Sequence, residues 1–306
     1  MKSGLSIPTA FIALSVMVLW GLSFIAIEIG LREVSPWQMV LLRYLPAAAI
    51  FAVMLLVKAI RGQLHFTLRM TLELLIAGLF MVSLYNLSLN TGLSMLPASL
   101  GALVIALNPA MITIVAMLFL RERPRPRTWI GLVLALAGLV FVVFARYGTP
   151  ELRAQNLLGM VITLGAPLSI GLYTSVIRNT APKLGAVGAT VSAITVGSLP
   201  LVFFIGPELL QVVSTMSSEL FWSLMFLSLG CTVYGFVMWG YVLKRVEAST
   251  AGMFIYLVPL IAALGSYFML DEPLDLPLLL GGTITVIGVA ISTGLATRIW
   301  QTIRRA

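Results

Sequence analysis

The chain has 306 residues, of which 60% are hydrophobic and only 10% charged, and its mean hydropathy is +1.06. Soluble domains carry about 25% charged residues, so the composition excludes that class and predicts a protein embedded in a lipid bilayer. The net charge of +8 does not indicate nucleic-acid binding, because the basic residues occupy short loops between apolar segments rather than one helix face.

Ten apolar runs follow one another along the chain, each of the roughly 20 residues that an α-helix needs to cross the hydrocarbon core. The first run is too long for the apolar core of a secretory signal and has no small-residue cleavage site, so we interpret it as a permanent span. The connecting loops are short, and no extramembrane domain is predicted. The predicted spans are 9–30, 36–60, 70–91, 96–120, 127–145, 157–178, 186–206, 218–241, 248–270 and 276–297.

Lysine and arginine are distributed unequally between the two sides that these spans define. With the N-terminus inside, 15 of the 19 basic residues fall in inside segments, and 3 fall in outside loops, namely Arg32, Arg146 and Arg153. Cytoplasmic loops of membrane proteins carry the excess of basic residues. Both termini are therefore predicted to be cytoplasmic.

The second half of the chain repeats the first at an offset of 150 residues. The stretch LNPAMITIVAMLFLRE (107–122) returns as LVPLIAALGSYFMLDE (257–272) with the leucine, the proline and the final glutamate kept, and a weaker match at offset 146 relates Ser23 to Ser169. The flanking charge reverses from basic to acidic, because a unit with an odd number of spans must enter the bilayer from the opposite side when it is repeated. The predicted fold is an all-α membrane protein with ten transmembrane helices in two inverted five-helix repeats, 1–148 and 149–306.

Inverted repeats are typical of secondary transporters, whose substrate site lies between the halves near the bilayer midplane. Pro109 and Pro259 fall near the centres of the fourth and ninth runs, where each removes a backbone hydrogen bond, so we predict that they act as paired hinges. The alternative is that they are ordinary prolines, which are frequent in membrane helices. The fourth run carries one small residue per turn on one face, namely Ala98, Ala102, Ala106 and Ala110. This spacing predicts close helix packing, either within the chain or in a homodimer.

The first hairpin, LWGLSFIAIEIGLREVSPWQMVLLRYLPAA (19–48), combines a Trp-Gly-Leu-Ser stretch, a Ser-Pro turn and an arginine in the second span. This hairpin, and the segment 107–142 with its mid-helix proline and terminal glutamate, resemble the EamA-type carriers of the drug/metabolite transporter superfamily. The resemblance covers essentially the whole chain and implies export of amino acids, other metabolites or drugs. Small four-helix relatives use a glutamate in the middle of the first helix for proton exchange, whereas Trp20 and Phe24 occupy that depth here.

The sequence contains no catalytic, metal-binding or phosphate-binding motif, and its single histidine, His65, and single cysteine, Cys231, cannot form one. No enzyme activity, metal or cofactor is predicted. Among the charged residues of the spans, Glu28 and Arg43 are the ones that we take as functional candidates, because charges within a membrane span are functional hypotheses by default. Arg43 is predicted to bind a substrate carboxylate and Glu28 to couple transport to protons, unless the two form a structural ion pair.

Neutral polar and aromatic residues complete the predicted substrate site, which would suit a neutral or zwitterionic solute. The predicted function is export of a small metabolite, an amino acid or a related compound, across a bacterial inner membrane by alternating access. A multidrug efflux carrier and a non-transporting scaffold are the alternatives. The expected partners are a small-molecule substrate and the bilayer. The remaining candidate residues are Trp20, Ser23, Tyr85, Asn86, Asn108, Ser169, Tyr173 and Tyr256.

Overall fold

The computed structural model describes residues 6–63, 66–120, 126–178, 180–246, 251 and 254–293. Within these ranges the regular structure is helical. Eight of the helices are long and apolar enough to cross a bilayer, and two shorter apolar helices follow them. The prediction of an all-helical membrane protein is confirmed, whereas the count of ten spans stays a prediction. His65 and the residues 121–125 and 294–306 lie outside the described residues. They include part of the predicted inside charge.

The helices are numbered here in chain order. The first half contains α1 (Ile7–Gly30), α2 (Pro36–Ile60), α3 (Leu68–Leu93), α4 (Ala98–Ile105 continued by Asn108–Leu120) and α5 (Pro126–Arg146). The second half contains α6 (Pro150–Ile177), α7 (Ala181–Phe204), α8 (Ser218–Arg245), α9 (Leu257–Met269) and α10 (Leu276–Thr293). A short helix that the sequence did not predict, Pro207–Thr215, connects α7 to α8.

Polar capping residues fix where several helices begin. The backbone N–H of Ser35 donates to Gln38 Oε1 at 2.9 Å, and Pro36 occupies the first turn of α2, where a missing N–H costs nothing. The hydroxyl of Thr149 accepts from Leu152 N–H at 3.3 Å at the start of α6. This cap accounts for the start of α6 at residue 150. The predicted start was 157, because the first two turns of the helix are polar and a search for apolar runs does not detect them.

The helices α5 and α10 lie side by side and run antiparallel. Gly131 faces Gly288, and Gly138 faces Gly281. A Cβ atom built on Gly138 would lie 2.6 Å from the carbonyl oxygen of Gly281, so the two backbones approach as closely as only glycine permits. The offset of 150 relates Gly131 to Gly281 and Gly138 to Gly288. Two helices that the repeat makes equivalent therefore meet in opposite directions.

Helix interruptions occur at equivalent points in the two halves. The first segment of α4 ends at Ile105, and the helix resumes at Asn108, one residue before Pro109. In the second half, Tyr256 lies in a turn three residues before Pro259. Proline lacks the N–H for the helical hydrogen bond, and its ring clashes with the carbonyl four residues earlier. The interruptions are thus a direct consequence of the repeated proline.

The helices α3 and α8 each contain a π-helical segment, Leu79–Leu84 and Phe226–Tyr234. The wider turn leaves backbone carbonyls that a polar side chain can satisfy. Asn86 and Thr232 each donate to the carbonyl five residues earlier in the same helix, at 3.0 Å and 2.9 Å. The offset of 146 relates Asn86 to Thr232. Such segments are frequent at functional sites.

Candidate functional site

A buried polar cluster lies where α2, α3 and α8 meet. Arg43 is 7% exposed, its Nε donates to Thr232 Oγ1 at 3.1 Å, and its Nη1 lies 3.5 Å from Asn86 Oδ1. Asn86 also donates through Nδ2 to the Tyr44 hydroxyl at 3.0 Å. The guanidinium carbon stands 5.2 Å from the centre of the Tyr44 ring. We call Arg43, Tyr44, Asn86 and Thr232 the arginine cluster.

The charge of Arg43 has no acidic counterpart within the described ranges, where all three ion pairs lie elsewhere. Moving a guanidinium out of water costs several kcal/mol even after relaxation, and the neutral Asn86 and Thr232 offset only part of that cost. The Nη2 group of Arg43 makes no hydrogen bond to a described residue. Because a guanidinium presents a planar fork of donors that matches a carboxylate, the cluster is chemically suited to receive one.

Tyr85 and Asn108 extend this polar region to the interruption in α4. Tyr85 neighbours the side chain of Asn108 and lies within electrostatic range of Arg43 and Tyr44. The Oδ1 atom of Asn108 is buried and has no hydrogen-bond partner in the part of the chain described. An unsatisfied buried acceptor costs about 1–3 kcal/mol. The oxygen is closed off in this conformation, so a ligand could regain that energy only in a state that opens the region.

Trp20 approaches the arginine cluster from α1. Its indole Nε1 donates to the carbonyl of Cys231 at 3.1 Å, and Cys231 directly precedes Thr232. The indole ring packs against Trp239 with centroids 5.6 Å apart. Trp20 and Tyr85 border the same buried apolar cluster. Trp20 thus contacts the backbone of the residue before Thr232, and Tyr44 is the aromatic ring that lies against the buried cation.

The remaining neutral candidates do not join the arginine cluster. Ser23 and Ser169 donate to carbonyls of their own helices at 2.6 Å and 2.7 Å, so their hydroxyls are engaged. The hydroxyl of Tyr173 lies 3.0 Å from a threonine hydroxyl of α7, although its ring packs against the apolar cluster that contains Tyr44. Tyr256 packs against a different apolar cluster, to which α4, α5, α6 and α10 contribute.

Glu28 and Arg43 do not form an ion pair. Glu28 Oε2 accepts from the backbone N–H of Ala98 at 2.8 Å, at the first turn of α4. Nearby, Glu272 binds Arg146 at 2.8 Å. Glu28 thus belongs to the end of the bundle where α1 and α9 end, and its coupling role stays a prediction.

The sequence does not single out Tyr44 and Thr232. The offset that relates Ser23 to Ser169 also relates Asn86 to Thr232, so the repeat contains a signal for Thr232. Tyr44 has no such signal, because only the packing of α2 against α3 brings its hydroxyl to Asn86.

Comparisons with known proteins agree with this architecture. Two segments, residues 7–144 and 157–294, match the EamA-like transporter family. An uncharacterized transporter of Archaeoglobus fulgidus is 29% identical over 273 residues, which cover 89% of this chain and 94% of that protein. An Escherichia coli protein named as a probable amino-acid metabolite efflux pump is 25% identical over 92% of this chain and 93% of its own length.

A solved crystal structure superposes on this chain with a TM-score of 0.60. The superposition covers 95% of this chain and 98% of the other chain at 21% identity, which shows similarity of fold alone. The family matches confirm the resemblance read from the first hairpin and the repeated proline unit. They also confirm the prediction that the protein is a transporter rather than an enzyme. The chain belongs to the EamA-like transporter family.

Proposed function

We propose that this protein exports small metabolites that carry a carboxylate, amino acids or related compounds, across a bacterial inner membrane. The observation that carries the proposal is Arg43, a guanidinium that is buried among neutral partners. Charges at such depth face a cavity or a partner, and a substrate carboxylate would be that partner. The relative named as a probable amino-acid metabolite efflux pump supports the substrate class and the direction.

The substrate would bind between the arginine cluster and the interruption in α4. Its carboxylate would take the donors that Arg43 leaves unused, and a substrate ammonium group would donate to the unpartnered Asn108 Oδ1. Hydrogen bonds to charged groups contribute about 1.5–3 kcal/mol each. Trp20 and Tyr85 would contact the side chain of the substrate.

Alternating access is the transport mechanism that we propose, with all ten helices crossing the bilayer as two inverted halves. The antiparallel contact of α5 with α10 supports inversion, because these helices occupy the same place in their repeats. The interruptions before Pro109 and Pro259 supply equivalent bending points, one in each half. Both termini would then be cytoplasmic, and the boundary between the halves would fall between α5 and α6.

The substrate is first identified by comparing the external metabolites of cells that express the native chain with those of cells that express Arg43→Gln at equal membrane level. The control is Arg61→Gln, which removes an exposed arginine at the end of the same helix. Expression of the native chain and of the control is expected to release one or a few amino acids. If the native and Arg43→Gln media match while drug resistance rises with the native chain, the multidrug alternative replaces the proposal.

Carboxylate recognition is then tested by efflux from proteoliposomes loaded with the labelled substrate. Arg43→Gln is expected to lower kcat/KM about tenfold or more, because it removes a charge-assisted hydrogen bond. The amide of the same amino acid, which lacks the carboxylate, should not compete. Competition by the amide equal to that of the acid would contradict the assigned role of Arg43.

A further inference from the structure

The short helix Pro207–Thr215 joins α7 to α8 without crossing the bilayer. Its 9 residues make it about 13 Å long, whereas the hydrocarbon core is roughly 30 Å thick. Two residues separate it from the end of α7, and two separate it from the start of α8. Because both neighbours are candidate membrane spans, the helix is held at the level where they leave the bilayer. We call it the connecting helix.

One side of the connecting helix packs against the protein, and the side next to it is apolar but exposed. Residues three positions apart share a side of a helix. Leu209 is buried in the apolar cluster that contains Tyr44, and Val212 packs against the cluster to which α1 and α8 contribute. Leu210 and Val213, one position further along, are 61% and 48% exposed. Two apolar side chains per helix therefore lack a protein contact that would bury them.

The remaining side of the connecting helix is polar. Glu208, Gln211 and Thr215 are spaced by three and four residues and are exposed, so they share one side. The exposed apolar side thus lies between the side that packs on the protein and the polar side. A helix with this arrangement can contact protein, lipid and water at once, each with a different side.

The neighbouring turns of α7 and α8 are also apolar and exposed. Phe203, in the last turn of α7, is 90% exposed, and Trp222, in the first two turns of α8, is 68% exposed. Tryptophan is enriched where membrane helices meet the membrane–water interface. The connecting helix is therefore flanked along the chain by side chains that suit lipid contact at the same level of the bilayer.

The charge of this segment excludes one common mode of membrane binding. Residues 199–222 contain the acidic Glu208 and Glu219 and no lysine or arginine. Helices that bind membranes through anionic lipids carry lysine and arginine on their polar side. Contact of the connecting helix with a membrane must therefore come from its apolar side chains and not from headgroup charge.

We propose that the connecting helix is an interfacial anchor, with Leu210 and Val213 in contact with lipid acyl chains and its polar side in water. Apolar sides of such helices enter the boundary between headgroups and acyl chains by about 5–10 Å. A second copy of the chain fits this side less well, because a stable interface buries about 1,200–2,000 Å² and the helix is only about 13 Å long. The proposal does not depend on the export function.

The test is the depth of nitroxide spin labels in the full-length protein, reconstituted in phosphatidylcholine vesicles. Cys231 is the only cysteine of the chain, and Cys231→Ser gives a background without thiols. Serine keeps a donor for the carbonyl of Leu19, to which Cys231 Sγ now donates at 3.2 Å. Collisions of each label with oxygen, which enters the lipid, and with a water-soluble nickel chelate are measured by electron paramagnetic resonance.

Leu210→Cys and Val213→Cys carry the labels on the exposed apolar side, and Gln211→Cys and Thr215→Cys are the matched controls on the polar side. All four positions are exposed, so the labels leave the protein contact intact. The ratio of oxygen to nickel collisions should be severalfold higher at the two apolar positions than at the controls. Equal ratios on both sides would place the helix in water and overturn the proposal.

Two further readings separate lipid contact from the alternatives. If Leu210→Cys and Val213→Cys labels were shielded from both reagents and broadened by a second label nearby, a second copy would cover this side and the proposal would fail. Addition of phosphatidylglycerol should leave the collision ratios unchanged, because residues 199–222 carry no basic side chain. A depth that appeared only with this anionic lipid would overturn anchoring by apolar contact.

Discussion

Arg146 is expected to hold together the end of the bundle where α5 and α9 end. Its Nη1 lies 2.8 Å from Glu272 Oε1 and its Nε lies 2.9 Å from Asp275 Oδ2, and the Arg146 and Glu272 side chains are 8% and 10% exposed. Arg146→Met would remove the cation and leave Glu272 buried. Removing one partner of a buried ion pair costs about 3–5 kcal/mol. Because Glu272 keeps the hydrogen bond from Ser99, we expect the free energy of unfolding to fall by about 3 kcal/mol.

The measurement is the free energy of unfolding in mixed detergent micelles for Arg146→Met, Glu272→Met and the double variant. The double variant should lose clearly less free energy of unfolding than the two single variants lose in sum, because the two side chains are directly coupled. The control is Arg69→Met, since the Arg69 side chain is 84% exposed in its pair with Glu73, and such pairs contribute less than about 1 kcal/mol. Additive single effects, or an Arg146→Met effect as small as the control, would refute the reasoning.

Three further predictions concern packing, exposure and bending. Gly138→Ala should destabilise the protein by about 1–3 kcal/mol, whereas Gly148→Ala, where an added Cβ meets nothing within 4 Å, should change unfolding by less than about 0.5 kcal/mol. Cys231 is fully buried, so maleimide should label it at less than roughly a tenth of the rate seen after denaturation, and equal rates would contradict its placement. Pro109→Ala and Pro259→Ala should each slow efflux at equal membrane level, because each restores a continuous helix, and unchanged efflux in both would remove the hinge role.

The bounds of a helix could be predicted from the sequence wherever a continuous apolar run of membrane-spanning length coincides with the helix. The run 36–60 matches α2 at both ends, because a membrane helix is specified by hydropathy. The start of α6 and the helix Pro207–Thr215 could not be found in this way. Both are specified by polar or short amphipathic segments, such as the Thr149 cap, that a search for apolar runs does not detect.

The arginine cluster could be predicted in part. Arg43 and Asn86 are conspicuous because they place a charge and an amide inside apolar runs. The ion pair between Glu28 and Arg43 was a wrong alternative, since spacing along the chain does not determine how α1 is rotated relative to α2. The π-helical segments could not be foreseen either, because a widened turn leaves no mark on composition.

The glycine contacts between α5 and α10 have the geometry of an isologous interface. Gly131 meets Gly288, and Gly138 meets Gly281. The repeat relates Gly131 to Gly281 and Gly138 to Gly288, so each contact is the repeat equivalent of the other. Such reciprocity normally joins two identical subunits of a dimer, and here it joins two halves of one polypeptide. Each glycine substitution at this seam therefore has a symmetry mate in a matching environment. The two halves, expressed as separate chains, would carry complementary surfaces on which to reassociate.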